Sequence, residues 1–257
     1  MKLGYKKIVV KVGSNVITLA DGTLDEFRIQ HLVKQIAELK KQEIEVTLVS
    51  SGAVASGKSM MRTSEKVETV KARQMLAAVG QVKLINTYAE YFEDHDIMCA
   101  QVLVTKEDFR DRIHYLNMKN CMQTLLQNDV IPVVNENDVV SVTELMFTDN
   151  DELAGLIASM LNADALIILS NVNGIYNGDP NTAGSEVIEE IGGSVTNLAS
   201  FIQAGRSQFG RGGMITKSTM AQKVAKLGIA VHIANGRVDN VITSLLDNSV
   251  VHTQFIP

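Results

Sequence analysis

Proline is scarce in this chain, with 3 in 257 residues, and so is cysteine, with 2. At 46% hydrophobic and 21% charged residues, the sequence carries no signature of disorder and has apolar material for one large core. Cys99 and Cys121 sit in apolar or helical patterns without metal-ligand spacing, so they are expected to be two reduced, largely buried thiols in a reducing, cytoplasmic setting. The histidines, His31, His95, His114, His232 and His252, also lack ligand spacing and read as structural or surface residues. No apolar run is long enough to cross a bilayer. The first residues, Met1 to Val12, are too interrupted by lysine to form a secretory leader. Neither sign of charge dominates. A formal net charge of -5 and a pI near 5.6 argue against a nucleic-acid binder. They leave small anions open, because local lysines decide that. We therefore expect neither a nucleic-acid nor a membrane partner.

Short apolar runs alternate with segments of helical period. Strands are expected at 7–12, 45–50, 98–104, 130–134, 165–170, 229–234 and 250–255. Several are near-continuous Val, Ile and Leu, as in strands buried on both faces of a parallel sheet. Helices are expected at 27–41, 70–93, 106–127, 152–161, 195–204, 214–227 and 238–246. Thr105 serves as an N-cap of the third, with Asp108 at the capping-box position. The order implies an α/β sandwich with a mostly parallel sheet and helices on both faces. The turn-rich stretch 173–185 reads equally as a lobe boundary or a surface hairpin.

Ligands of parallel sheets bind beyond the carboxyl ends of the strands, and polar groups recur there. Lys11-Val-Gly-Ser-Asn15, Ser50-Ser51-Gly52, Asn135-Glu136-Asn137-Asp138 and Ser170-Asn171 follow four different strands. Near the carboxyl end, Gly210-Arg211-Gly212-Gly213-Met214-Ile215-Thr216-Lys217 runs from a glycine cluster into a helical segment. Glycine lets backbone N–H groups approach a ligand, the helix dipole favours an anion, and Thr216 and Lys217 add a hydroxyl and a charge. These are the parts of a phosphate cradle. With Lys11 at the end of the first apolar run, they suggest one phosphoryl group held from two sides.

A competing motif lies between these segments. Gly52-Ala-Val-Ala-Ser-Gly57-Lys58-Ser59 satisfies the P-loop pattern letter for letter. Ala-Val-Ala-Ser, however, reads as the first turn of a helix starting at Ser51. A P-loop site also needs an apolar strand ending in Asp to hold Mg²⁺, and the best candidates here end in Asn135 or in Ser170-Asn171, with Asp138 not far off. Lys58 is expected to be a solvated lysine.

Lys11-Val-Gly-Ser-Asn15, Val49-Ser-Ser-Gly-Ala-Val54, Asn135-Glu-Asn-Asp138, Thr148-Asp-Asn-Asp151 and Gly210-Arg-Gly-Gly-Met-Ile-Thr-Lys217, in this order, resemble the motifs of the glutamate 5-kinases, within the amino acid kinase superfamily. The likeness runs over essentially the whole chain. It implies a three-layer αβα sandwich around a central, mainly parallel sheet. It implies one amino acid kinase domain over 1–257, with a glutamate-binding lobe at about 1–164 and a nucleotide-binding lobe at about 165–257; the PUA domain into which many members continue is expected to be absent, a departure from the family pattern. The reaction implied is transfer of the γ-phosphoryl group of ATP, with Mg²⁺ carried by the nucleotide, to the side-chain carboxylate of L-glutamate, the first step of proline synthesis. Lys11 and Lys217 are then assigned to the transferring phosphoryl group, with Asp151 between them. Gly13 and Gly52 would offer backbone donors. Ser51, Gly52, Asp138 and Asn150 would hold glutamate. Lys11, Gly13, Ser170, Asn171, Arg211, Gly212, Gly213, Met214, Ile215, Thr216 and Lys217 would hold ATP. No protein side chain is assigned to a metal. A homo-oligomer (dimer or tetramer), feedback inhibition by proline and hand-over of product to glutamyl phosphate reductase are also implied. Ser170-Asn171 stands where many members have Thr-Asp, and Arg211 where many have Thr. The bland readings stay beside these: Asp151 as an acid complementing a helix dipole, Ser51 as a plain N-cap, Arg211 as a solvated loop residue. The rival acceptors are acetylglutamate and nucleoside monophosphates. The rival classes are a P-loop NTPase using Lys58 and a non-catalytic sensor on the same fold.

Overall fold

Strand alternation assigns each side chain of a buried strand to one of two layers. In β1 (Lys7–Val12), Ile8, Val10 and Val12 enter one core and Val9 enters the other. By the same parity Lys11 lies on the Val9 face. The computed structural model describes residues 3–61, 69–140, 147, 149–180, 182–192 and 213–257. The remaining strands are β2 (Glu45–Ser50), β3 (Cys99–Val104), β4 (Ile131–Glu136), β5 (Ala165–Ser170), β6 (Glu190–Gly192), β7 (Ala230–Asn235) and β8 (Thr253–Ile256). They form one eight-stranded sheet in the order β3-β4-β2-β1-β5-β7-β8-β6. Every neighbouring pair is parallel except β7 and β8, which run antiparallel with His232 opposite Gln254.

The helices among the described residues are α1 (Ser14–Ile17), α2 (Glu26–Lys40), α3 (Ala53–Met60), α4 (Val70–Glu93), α5 (Arg112–Gln127), α6 (Asn150–Leu161), α7 (Gly213–Ala225) and α8 (Val241–Leu246). Residues of α1, α2, α4 and α8 fill the core on the Ile8 face, and those of α5, α6 and α7 the core on the Val9 face. The result is a three-layer αβα sandwich. Side-chain caps start four helices: Asp25 accepts from the Arg28 N–H, Thr69 from Ala72, Asp111 from His114, and Asp149 from Asp151 and Glu152. Because the sheet is nearly all parallel, the carboxyl ends of β1, β2, β4 and β5 open on one edge, where the polar clusters collect.

Several expectations are corrected. The helix over 106–127 is two elements. Asp108 does accept from the N–H and hydroxyl of Thr105, at 2.6 and 2.9 Å, but this closes a 3₁₀ turn at Glu107–Phe109, and α5 starts afresh after Asp111. The four-residue α1 and the three-residue β6 are too short to carry a readable period. Stretch 173–185 belongs to a hairpin, since Tyr176 and Val187 form an antiparallel bridge. Cys121 is exposed and Cys99 half-buried, so neither thiol is a core residue. Burial pushes the Cys99 thiol up from its ordinary pKa. The helix expected at 195–204 lies outside the described residues.

The P-loop look-alike is also explained here. Residues 53–60 form helix α3, not a phosphate-wrapping loop. The helix begins at Ala53 rather than Ser51, behind Gly52 at φ 108°, a left-handed conformation that glycine adopts freely. Gly57 is required by packing: a Cβ there would sit 1.9 Å from the Leu76 carbonyl oxygen of α4. Gly80 answers from α4, where a Cβ would sit 1.9 Å from the Ala53 carbonyl oxygen. The paired glycines let two helices cross backbone to backbone.

Candidate active site

The Lys11 ammonium lies 2.6 Å from Asp151 Oδ1, and the Lys217 ammonium bonds Asp151 Oδ2. The two lysines, 206 positions apart in the sequence (217 − 11), therefore meet at one carboxylate. Each is placed by its element. Parity turns Lys11 toward α6, Asp151 occupies the first turn of α6, and Lys217 occupies the first turns of α7. Helices α6 and α7 approach closely at Gly155, where a Cβ would meet Met220 Sδ at 2.8 Å and Val224 at 2.9 Å.

All three side chains are buried, with Asp151 1% exposed, Lys11 7% and Lys217 9%. Burial pushes the Asp151 carboxyl upward, but Lys11 and Lys217 outweigh it and hold it below the usual carboxylate range. It is the anion at neutral pH. Burial, with the Lys217 charge added, holds the Lys11 ammonium below the ordinary lysine range against the pull of Asp151. Two ammonium groups on one carboxylate leave a net charge of +1 in a dry setting. Such a seat favours an incoming anion, because the low dielectric strengthens the attraction.

Beside this cluster a cavity of ≈ 450 Å³ is lined by Ser51, Gly52, Asn135, Asp138 and Asn150, among others. Asn150 Nδ2 donates to Ser51 Oγ at 2.9 Å and to Asn135 Oδ1 at 3.0 Å, tying the ends of β2 and β4 to the start of α6. Asn135 in turn donates to Gln81 of α4. The position of Asn150 is thus fixed before a ligand arrives. Asp138 is buried and accepts from Arg73 of α4 at 2.9 Å. Burial raises its carboxyl pKa, and Arg73 partly opposes the rise. Glu136 stands in the same wall, with Oε1 accepting from the Phe147 N–H. Sequence reasoning missed Arg73, Gln81 and the part played by Asn135 and Glu136. No signal pointed to Arg73, an ordinary arginine within a long amphipathic helix. Lys58, expected to be solvated, is exposed but also lines this cavity.

The residues assigned to the nucleotide are less gathered. Ser170 Oγ donates to Asn171 Oδ1 at 3.4 Å, and Asn171 lines a second hollow of ≈ 580 Å³ with Asn15 and Arg237. Ile215 and Thr216 line a third, of ≈ 490 Å³, between α6 and α7. The N–H of Gly13 is not available as a donor: it bonds the Leu169 carbonyl at 3.1 Å. A Cβ at Gly13 would make ordinary contacts, 3.4 Å to the Leu169 carbonyl oxygen and 3.6 Å to the Lys11 ammonium. Gly213 and Met214 begin α7. Arg211 and Gly212, with Thr148 of the fourth motif, lie outside the described residues.

The model of the amino acid kinase family matches residues 6–235. Glutamate 5-kinase of Bacteroides thetaiotaomicron is 57% identical over 259 residues, covering 100% of this chain and 72% of that protein. The chain belongs to the glutamate 5-kinase family. The glutamate 5-kinase of Chlorobaculum tepidum is 52% identical, covering 98% of this chain and 69% of that protein. Among solved structures, carbamate kinase from Giardia lamblia bound to AMP-PNP superposes with a TM-score of 0.70 at 19% identity, covering 98% of this chain and 99% of that one. The isopentenyl phosphate kinase of T. acidophilum gives 0.69 at 17% identity, covering 97% and 99%. These two share the fold. Family membership and the observed sandwich agree with the architecture expected from the strand and helix order.

Proposed function

We propose that this chain transfers the γ-phosphoryl group of ATP to the side-chain carboxylate of L-glutamate, giving L-glutamyl 5-phosphate. The observation that carries the chemistry is the convergence of Lys11 and Lys217 on Asp151 beside a cavity of amino-acid size. A glutamate carboxylate, with pKa near 4.3, is already ionised at neutral pH. It needs no general base, and no histidine lines the cavity. The barrier is the approach of an anion to a triphosphate, so the work is positioning and charge neutralisation. Lys11 and Lys217 meet the transferring group from two sides. Asp151 holds both ammonium groups in register and stays ionised. Ser51, Gly52, Asn150 and Asp138 seat glutamate, with Asp138 facing its ammonium.

On the nucleotide side we assign Gly13, Ser170, Asn171 and the run Arg211, Gly212, Gly213, Met214, Ile215 and Thr216. Residues 1–164 then form the acceptor half and 165–257 the donor half. Both oxygens of Asp151 are engaged by lysine. Mg²⁺ accordingly fits the phosphate oxygens of the nucleotide rather than this protein. Proline inhibition, assembly into a dimer or tetramer, and hand-over of the acyl phosphate to a reductase complete the reading. Glutamate-dependent ADP release, with hydroxylamine trapping the acyl phosphate, tests it. Turnover with acetylglutamate or UMP but not with glutamate would overturn it.

A further inference from the structure

Arg73 reaches the acceptor cavity from the first turn of α4. Its Nε and Nη2 both lie 2.9 Å from Asp138 Oδ1, and Nη2 lies 3.7 Å from Glu136 Oε2. One wall of the cavity thus holds two buried carboxylates and one guanidinium. The arginine side chain is 42% exposed, against 8% for Asp138 and 4% for Glu136. It is the accessible member of the group.

The head of a free α-amino acid carries an ammonium and a carboxylate on one carbon. Two carboxylates alone would attract the first and repel the second. The head therefore needs a cation on this wall. Lys11 and Lys217 are held by Asp151. Lys58 also lines the cavity, but its ammonium forms no ion pair among the described residues that would fix its direction. Arg73 is already oriented. A guanidinium has five N–H donors in a rigid fork. Two of its nitrogens are on one oxygen of Asp138, and Nη1 bonds no protein group among the described residues. Asp138 Oδ2 likewise accepts no protein hydrogen bond there.

We infer that Arg73 is a specificity-determining residue, pairing the α-carboxylate of the substrate while Asp138 Oδ2 takes the α-ammonium. Arginine and aspartate together form a clamp for a zwitterion. The inference rests on the reading that glutamate is the acceptor, and it adds how the far end of that acceptor is recognised. It also accounts for the Arg73–Asp138 contact before substrate binds: each group sets the direction of the other, so little order remains to be imposed on binding.

Two truncated acceptors dissect the clamp. 4-Aminobutyrate keeps the ammonium and the reacting carboxylate but lacks the α-carboxylate; glutarate lacks the ammonium. The ratio of kcat/KM for glutamate to that for 4-aminobutyrate is measured in the wild type and in Arg73→Met. The expected result is a collapse of that ratio by at least about tenfold, the usual scale of one charge-assisted hydrogen bond. It should arise from the KM for glutamate, with kcat and the KM for ATP changing less than about threefold. The glutamate-to-glutarate ratio should hold. Arg73→Lys, which keeps the charge and loses the fork, should fall between, and it carries the same comparison if the methionine variant does not fold. Equal losses on glutamate and 4-aminobutyrate would show that Arg73 only props Asp138, and would overturn the inference. So would an unchanged ratio. A wild type that ignores glutamate and phosphorylates another acceptor would instead bring down the functional reading itself.

Discussion

A carboxylate 1% exposed and touched by two ammonium groups is stable only as the anion. In the proposed reaction Asp151 is the residue on which the phosphoryl site would depend, since it keeps the nitrogens of Lys11 and Lys217 together. Lys217→Ala should lower kcat by on the order of 10²–10³, the scale for loss of one preorganised charge donor. A fall of less than about threefold in steady-state assays would contradict the role. The proposed function puts Asp138 at the other end of the substrate, so Asp138→Ala should raise the KM for glutamate much more than that for ATP. Equal rises in paired titrations would tell against its place in the acceptor pocket. These residues were legible in the sequence because Lys11 lies near the end of a strand, Asp138 follows one, Asp151 opens a helix and Lys217 lies one turn into another behind glycines, where polar residues interrupt apolar runs. Arg73 was not legible, since its partner Asp138 is 65 positions away.

At the level of elements, the crossing of α3 and α4 matters because it sets one wall of the acceptor cavity. Its glycines stand against backbone atoms, which cannot move aside. Gly80→Ala should destabilise the protein by about 2–3 kcal/mol, despite the better helix propensity of alanine. Gly155→Ala meets side-chain atoms instead, Met220 Sδ at 2.8 Å and the stiffer Val224 Cγ2 at 2.9 Å, and should cost about 1 kcal/mol, less than Gly80→Ala. Urea midpoints compared at constant m would separate the two, and equal shifts would mean that the backbone contacts at Gly80 do not decide its cost. Element positions were readable wherever a run exceeded about six residues, because the period then repeats. The split between the 3₁₀ turn and α5 was not, because Thr105 and Asp111 are both competent caps and only packing selects the second as the helix start.

At the scale of the molecule, the antiparallel pair β7–β8 breaks the parallel order one strand short of the sheet edge, and two buried histidines meet there. The rings of His232 and His252 lie 5.2 Å apart, and Tyr5 Oη stands 3.0 Å from His232 Nε2. Burial and the neighbouring His252 push the His232 pKa down to about 3 from its model-compound value of 6.5. As the pH falls, this imidazole binds a proton in the unfolded chain before it does so in the fold. Stability should therefore be full above about pH 6.5 and fall as the pH drops toward 3. The slope is up to about 1.4 kcal/mol per pH unit and the total a few kcal/mol. His232→Gln should flatten this limb in chemical denaturation between pH 6.5 and 4. A limb of unchanged slope would assign the acid sensitivity to other groups.

The layer order, the nearly parallel sheet and the edge where the polar clusters collect all follow from local pattern, because period and polarity are properties of neighbouring residues. So does the pairing of glycine-rich turns with lysine. Folding settled the rest. It chose which hollow each residue faces, brought Arg73 to Asp138, gave the N–H of Gly13 to Leu169 and made Gly57 a packing residue rather than a phosphate ligand. Those outcomes depend on distances between segments far apart along the chain. A linear order of residues carries no measure of them until the core has closed.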